Sequence, residues 1–253
     1  MKQVVLLSTI IVILTSSAIF SQITLQVGAG GGYISPTGDY AGSTVDFYNG
    51  TKYGMSGGYN LNAKVRVGLL GIDLFGMVEY SSVTGEGQSD PDNKNSQIEN
   101  TQNIFSIKAG PEFKIEFPLS PIGIYFDGFL SVNTFSGTVS FQGVSGVPTD
   151  EYDLETSTRV GAGGGGGVLL DFIPVVTLDL GVHFNWYNLF GKQYTAYANT
   201  NPGANLNTPR LNAYTSLNDD ADPLYQTGSE YNIIGEARSI NAWEFTLTAM
   251  IGI

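Results

Sequence analysis

The sequence predicts an all-β protein, an eight-stranded antiparallel up-and-down transmembrane β-barrel with short periplasmic turns and long extracellular loops. Three observations lead there. Segment after segment alternates apolar and polar residues with period two. The charges in those segments fall on one face only. The connections between them alternate between short and long. Met55 to Val67 is the clearest segment: Met55, Gly57, Tyr59, Leu61, Ala63, Val65 and Val67 form one face, and Ser56, Gly58, Asn60, Asn62, Lys64 and Arg66 form the other. At ~3.3 Å per residue, a tilted strand of about ten residues crosses a thin bilayer.

Composition agrees with this reading. Of 253 residues only 13% are charged, against ~25% in soluble domains, while mean hydropathy is +0.03 and glycine reaches 33 residues. The chain carries 23 acidic and 11 basic residues, net −12. An acidic chain without a basic patch is no partner for a phosphate backbone, so nucleic acid is excluded as a ligand. With no cysteine there is neither a disulfide nor a thiolate metal site. Residues 1–21 read as a cleavable export signal: Lys2, then the apolar run Val4 to Leu14, then small polar residues. Cleavage after Ser21 leaves Gln22 to Ile253 as the barrel domain. No later segment approaches the ~18 consecutive apolar residues of a membrane helix.

The first strand spans Ile23 to Ile34, with Ile23, Leu25, Val27 and Ala29 opposite Thr24, Gln26 and glycines. The second is Met55 to Gly68, and a tight turn near Leu69 to Gly71 leads to the third, Ile72 to Val83, where Ile72, Leu74, Val78 and Tyr80 oppose Asp73, Glu79 and Ser81. The fourth, Ile104 to Glu116, sets Phe105, Ile107, Ala109, Phe113 and Ile115 against Ser106, Lys108, Glu112, Lys114 and Glu116. Pro111 lacks a ladder donor, so a bulge or local break is expected there. The turn Phe117 to Pro121 leads to the fifth strand, Ile122 to Phe135, polar at Asp127, Ser131 and Asn133. The sixth, Thr156 to Leu170, turns through Asp171 to Pro174 into the seventh, Val175 to Asn188, where Val176, Leu178, Leu180, Val182, Phe184 and Trp186 oppose Thr177, Asp179, His183 and Asn185. The eighth, Arg238 to Ile253, sets Trp243, Phe245, Leu247, Ala249 and Ile251 against Glu244, Thr246 and Thr248. The connections after strands one, three, five and seven are expected to be long, mobile loops, and the last has room for an extra hairpin around Asn212 to Tyr231.

Periodicity alone does not say which face points out, since a lipocalin-like soluble barrel inverts the arrangement. Two features choose the lipid-facing form. The apolar stripes carry essentially no charge, and charge facing lipid costs ~2–4 kcal/mol at the bilayer midplane. Aromatics also gather where strands meet the long loops, at Tyr33, Tyr59, Tyr80, Trp186 and Trp243, in the manner of an interfacial girdle. The enclosed face then holds Lys64, Arg66, Asp73, Glu79, Lys108, Glu112, Lys114, Glu116, Asp127, Arg159, Asp179 and Glu244. An eight-stranded interior is just wide enough for side chains to fill, and buried charges must be paired. Lys64 and Arg66 facing Asp73 and Glu79 across the neighbouring hairpin make an ion-pair plug, with a narrow charge-lined channel as the alternative.

Other motifs carry less. Gly161 to Gly167 contains a formal GxGxxG, but without a buried parallel strand before it and a helix after it the nucleotide reading fails. Its glycines make room for bulky lumen neighbours such as Tyr125, Phe129 or Tyr187. His183 is the single histidine. A hydrolase would have to use it with Asp179, yet no GxSxG elbow accompanies it, so it is expected to be a polar lumen residue, and neither catalytic residues nor cofactor or metal sites are expected. The loops are acidic at Glu86, Asp90, Asp92 and Glu99, at Asp150, Glu151, Asp153 and Glu155, and at Asp219, Asp220, Asp222, Glu230 and Glu236, beside Lys192 and Arg210. They form a solvated surface, or one that binds divalent cations linked to lipopolysaccharide phosphates. The run Asp90 to Lys94 is a poor calcium loop, with lysine where a ligand belongs.

Several runs carry a family likeness: Phe20-Ser-Gln22, Val27-Gly-Ala-Gly-Gly-Gly-Tyr33, Pro36-Thr-Gly-Asp39, Lys108-Ala-Gly-Pro-Glu-Phe113 and Phe184-Asn-Trp-Tyr-Asn188. With the strand layout, they make the chain resemble the eight-stranded outer-membrane barrels related to the OmpA/OmpX membrane domain, in the Bacteroidota-type "outer membrane protein β-barrel domain" form. The terminal Ile-Gly-Ile departs from the terminal Phe of proteobacterial members. The resemblance implies a non-enzymatic protein integral to the outer membrane, in contact with its lipid; a monomer is expected, though the sequence names no oligomeric state. Its role would be structural or surface interaction, and the alternative is passage of small, including hydrophobic, molecules.

Overall fold

The computed structural model describes residues 24–69, 72–90, 95–117, 119–173, 175–191, 214–215, 217 and 238–252. The strands are β1 (Thr24–Thr37), β2 (Gly57–Leu69), β3 (Ile72–Gly87), β4 (Gln97–Glu116), β5 (Ile122–Gln142), β6 (Asp150–Asp153), β7 (Ser157–Ile173), β8 (Val176–Phe190) and β9 (Asn241–Gly252), with one short helix, α1 (Thr44–Tyr48). The order around the sheet is β4-β3-β2-β1-β9-β8-β7-β5, and the β4–β5 pairing closes it into an eight-stranded antiparallel barrel. The four residues of β6 pair only with β5, beyond the closed ring. Closure leaves each barrel strand a partner on both sides, which satisfies the backbone donors and acceptors without an open edge.

The barrel has the inverse of a soluble core. Leu74 is 61% exposed on the outside, while Arg66 on the paired strand is 1% exposed inside. Outward stripes of Leu61, Val65 and Val67 on β2, Ile72, Leu74 and Val78 on β3, and Phe105, Ile107 and Phe113 on β4 are all exposed. Lys64, Lys108, Glu112, Asp179 and Glu244 are buried. The inverted, lipocalin-like arrangement is therefore not the one this chain adopts.

The tight turns stand at one rim, between β2 and β3, β4 and β5, and β7 and β8. The strands run further at the other rim than alternation suggests. β3 continues to Gly87, β4 begins at Gln97 rather than Ile104, and β5 continues to Gln142 rather than Phe135. The expected loose second and third loops are thus largely sheet. The expected second strand also starts two residues late: Met55 is buried and bridges to Ala41, while Tyr53 and Met55 bond back to Asp39 and Tyr40. The described parts of the first three expected loops form a folded cap, in which Phe47, Ile98, Val139, Phe141, Val144 and Val147 build a core of their own with Tyr214 of the fourth. Of the hairpin expected around Asn212 to Tyr231 only Tyr214, Thr215 and Leu217 are described; the acidic residues Asp219 to Glu236, Lys192 and Arg210, and the export signal lie outside the described residues.

Pro111 interrupts one ladder only. It pairs with Leu74 on β3, whereas the β4–β5 pairing stops at Ala109 and resumes at Glu112 in the same register. This is a local break without a bulge, as expected where the proline nitrogen has no hydrogen to donate. The glycine tract of β7 does make room. A Cβ at Gly163 would lie 2.6 Å from Cε2 of Phe129, and one at Gly167 2.6 Å from Cε1 of Tyr125. The two inward rings occupy the volume that side chains on β7 would need.

Two predictions follow from this packing. Gly163→Leu should block assembly or destabilise the barrel by about 1–3 kcal/mol or more through overpacking, while Gly76→Ala, whose Cβ meets nothing nearer than 3.5 Å, should be neutral; the heat-modifiable gel shift in detergent separates them. In the cap, Ser43 and Asp46 cap α1 reciprocally, and the Ser43 backbone and hydroxyl hydrogen bonds hold the Asp46 carboxyl below its ordinary range. Stabilisation from a depressed carboxylate is present above its unfolded pKa and is lost as pH falls through the folded one. Amide NMR shifts of α1 should titrate below the usual carboxylate range, and Ser43→Ala should move that midpoint up.

Candidate functional site

The inward side chains converge on a lumen that is charged at two levels. Toward the short-turn rim, Lys64 and Arg66 from β2 reach across the barrel. Lys64 Nζ donates to Asp179 Oδ2 (2.8 Å) and Glu112 Oε2 (3.1 Å). Arg66 Nη2 donates to the same two oxygens at 2.7 and 3.0 Å, its Nε lies 2.7 Å from Glu112 Oε1, and its Nη1 donates to Gln26. Tyr125 donates its hydroxyl to Asp179 Oδ1 at 2.7 Å, and its ring lies 4.9 Å from the Lys64 ammonium. Two cations thus meet two carboxylates from β4 and β8, with an aromatic face against them. Below this group Lys114 pairs with Asp73.

Nearer the loops a single cation lies between two carboxylates. Lys108 Nζ donates to Glu244 Oε2 at 2.6 Å and Glu79 Oε2 at 3.0 Å. Asn60 and Asn185 each donate to Glu244 at 2.9 Å, and Ser81 donates to Glu79 at 3.0 Å. Between the two levels His183 Nε2 lies 2.8 Å from Asp127 Oδ2, its ring between Tyr125 and Phe129.

The partners differ from those expected across the hairpin. Arg66 lies 3.9 Å from Asp73, its longest ion pair, and Glu79 is bound by Lys108 rather than by Lys64 or Arg66. Strand tilt offsets the side chains of adjacent ladders, so Lys64 and Arg66 on β2 reach Glu112 on β4 and Asp179 on β8, while Lys108 and Lys114 on β4 do pair with the neighbouring β3 at Glu79 and Asp73. Arg159 sits at the loop end of β7, and its guanidinium donates to the Thr158 carbonyl. Glu116 is exposed at the short-turn rim and does not face the enclosed lumen. Asp179, the partner a hydrolytic His183 would need, is instead held by Lys64, Arg66 and Tyr125. Gln26, Asn60, Ser81, Tyr125 and Asn185 stand on the inner face as the sequence places them, and the structure adds their hydrogen bonds to the charged groups. Their inward parity was the available signal.

Above the charges the lumen is apolar. Ile34, Val83, Ile104, Phe135, Tyr187, Ile240 and Ala242 turn inward and pack with Tyr40, Tyr53 and Met55 of the first loop. Arg238 braces this layer from the rim, its guanidinium 4.0 Å from the Tyr53 ring centre.

Outside, Tyr33, Tyr59, Tyr80, Trp186 and Trp243 are all exposed. Tyr33 pairs with Tyr59 across β1 and β2, Tyr80 pairs with Phe105 across β3 and β4, and Phe184 packs edge-on against Trp186 and Trp243 at 4.7 and 5.0 Å. Of the loop acids, Glu86 and Glu99 are directly paired residues, followed in the same row by Ser140 and Glu151. Asp92 and Lys94 lie outside the described residues.

No family model matches the chain, and no curated protein matches it. Among solved structures, a major outer membrane protein from Thermus thermophilus aligns with TM-score 0.50 at 11% identity, over 91% of this chain and 99% of that one. Neisserial surface protein A aligns with TM-score 0.43 at 12% identity, over 91% and 96%. The N-terminal barrel domain of Pseudomonas aeruginosa OprF aligns with TM-score 0.41 at 9% identity, over 92% and 98%. The Thermus likeness supports the barrel fold, and at such identity it speaks of the fold alone.

Lys108→Met would leave Glu79 and Glu244 buried without their shared cation. It should cost about 3–5 kcal/mol in urea unfolding from detergent, and Lys108→Met with Glu79→Gln and Glu244→Gln should recover most of that loss. A single variant as stable as the parent would show that the pair needs no cation.

Proposed function

We propose that this protein is an integral outer-membrane barrel that acts as a closed scaffold for its cap, in a structural or surface-interaction role without catalysis. The observation that carries this reading is the filling of the lumen. Ion pairs occupy two levels and an apolar layer lies above them, an arrangement that supports a closed barrel. The apolar stripes and the exposed aromatic band support contact with lipid, since a soluble protein rarely exposes more than a few hundred Å² of contiguous apolar surface. Insertion follows export through the leader at residues 1–21, and the barrel works as a monomer. Divalent cations, and lipopolysaccharide phosphates through them, would meet the acidic loop surface as a diffuse layer, since among the described residues no three carboxylates are grouped to hold a metal ion.

The chain should fractionate with the outer membrane and show a heated-versus-unheated gel shift. Reconstituted in a planar bilayer it should give no steady conductance. A stable conductance altered by Arg66 or Glu79 substitution would replace the closed scaffold with a charge-lined channel, and lipid hydrolysis dependent on His183 would make it an enzyme.

A further inference from the structure

Two turns at the rim opposite the cap carry large apolar residues. Leu119, in the β4–β5 turn, is 107% exposed, and Val175, in the β7–β8 turn, is 72% exposed. Phe117, Phe172 and Ile173 beside them are exposed as well. Both tips also have unfavourable backbones, with φ of 65° at Leu119 and 63° at Val175. This is the left-handed region, where glycine or asparagine meets less steric cost and a β-branched residue meets the most. A tip in water gains nothing from leucine or valine in that conformation. A tip in an apolar phase does, because the side chain is then removed from water. The tips are continuous with the outward stripes: Phe113, Ile115 and Phe117 descend β4 to Leu119. Glu116 and Asp171 are exposed at the same rim, and charge of that kind sets its depth at the headgroups and not within the hydrocarbon.

We infer that this rim is a lipid anchor: Leu119 and Val175, with Phe117 and Phe172, enter the headgroup–acyl boundary of the nearer leaflet and take a phospholipid surface as their ligand. The inference rests on the membrane reading above and adds to it that the short turns are immersed and do not project into water. The Val175 carbonyl accepts from Gly252 N at 2.9 Å, so this tip is tied to the barrel wall and enters lipid as a fixed wedge.

The test uses the full chain in phosphatidylcholine vesicles whose acyl chains are brominated. The two native tryptophans, Trp186 and Trp243, report insertion of the barrel itself. On a Trp186→Phe, Trp243→Phe background, Leu119→Trp and, separately, Val175→Trp report the rim. The expected result is blue-shifted emission from both new residues, quenched several-fold more by brominated lipid than by aqueous iodide. Native tryptophans quenched by lipid while both new ones respond to iodide would overturn the anchor, leave the membrane reading intact and leave the rim free for a protein partner. Failure of lipid to quench the native tryptophans would overturn both.

Discussion

Enclosure of charge inside a closed ring of strands is the constraint on which the rest of this structure depends. Lys64, Arg66 and Lys108 are each buried, and a buried cation is tolerated only when carboxylates stand within hydrogen-bond reach. Those carboxylates come from β3, β4, β8 and β9: Lys108 meets Glu79 on the neighbouring strand and Glu244 across the barrel, while Lys64 reaches Glu112 on β4 and Asp179 on β8. Polar side chains complete the coordination, with Asn60, Asn185 and Ser81 around the Lys108 group and Gln26 and Tyr125 around the Arg66 group.

Filling that lumen also sets the distribution of large and small residues. Aromatic rings on β5 face a wall of glycine on β7, and the rings lie against the cations of β2 and β4. Volume conservation and charge pairing are thus met by the same side chains. Tyr125 fills space beside Gly167, donates to Asp179 and shields Lys64. The ladder break at Gly110 and Pro111 lies opposite Gly128 and Phe129, where the wall already relies on side-chain packing.

The cap extends the same logic above the barrel. β3, β4 and β5 outrun the ring, and a sheet projecting into water needs a core on one face. Phe47 of α1, the cap ends of the strands and Tyr214 supply it. Below it, the apolar layer around Tyr40, Tyr53 and Met55 separates the cap from the ionic levels. From cap to short-turn rim the buried side chains thus change from apolar to ionic along the barrel axis.

Period-two alternation made the barrel, its strand number and its orientation legible. Parity along a strand is a local property, and the cost of charge in lipid acts on each residue separately. Lys64, Arg66, Glu112 and Asp179 could be placed inside by parity alone. Which of them meet could not, because Arg66 and Asp179 are 113 positions apart and are brought together only by closure and tilt. The folded cap was hidden for a related reason. Ile98, Val139 and Phe141 alternate like any strand, and only the packing of α1 and Tyr214 onto them distinguishes a sheet beyond the closed ring from loops. The sequence by itself determined which face of each strand is wet. The tertiary structure decided how the wet face is neutralised and sealed, since pairing and packing depend on distances across a closed ring that no local pattern encodes.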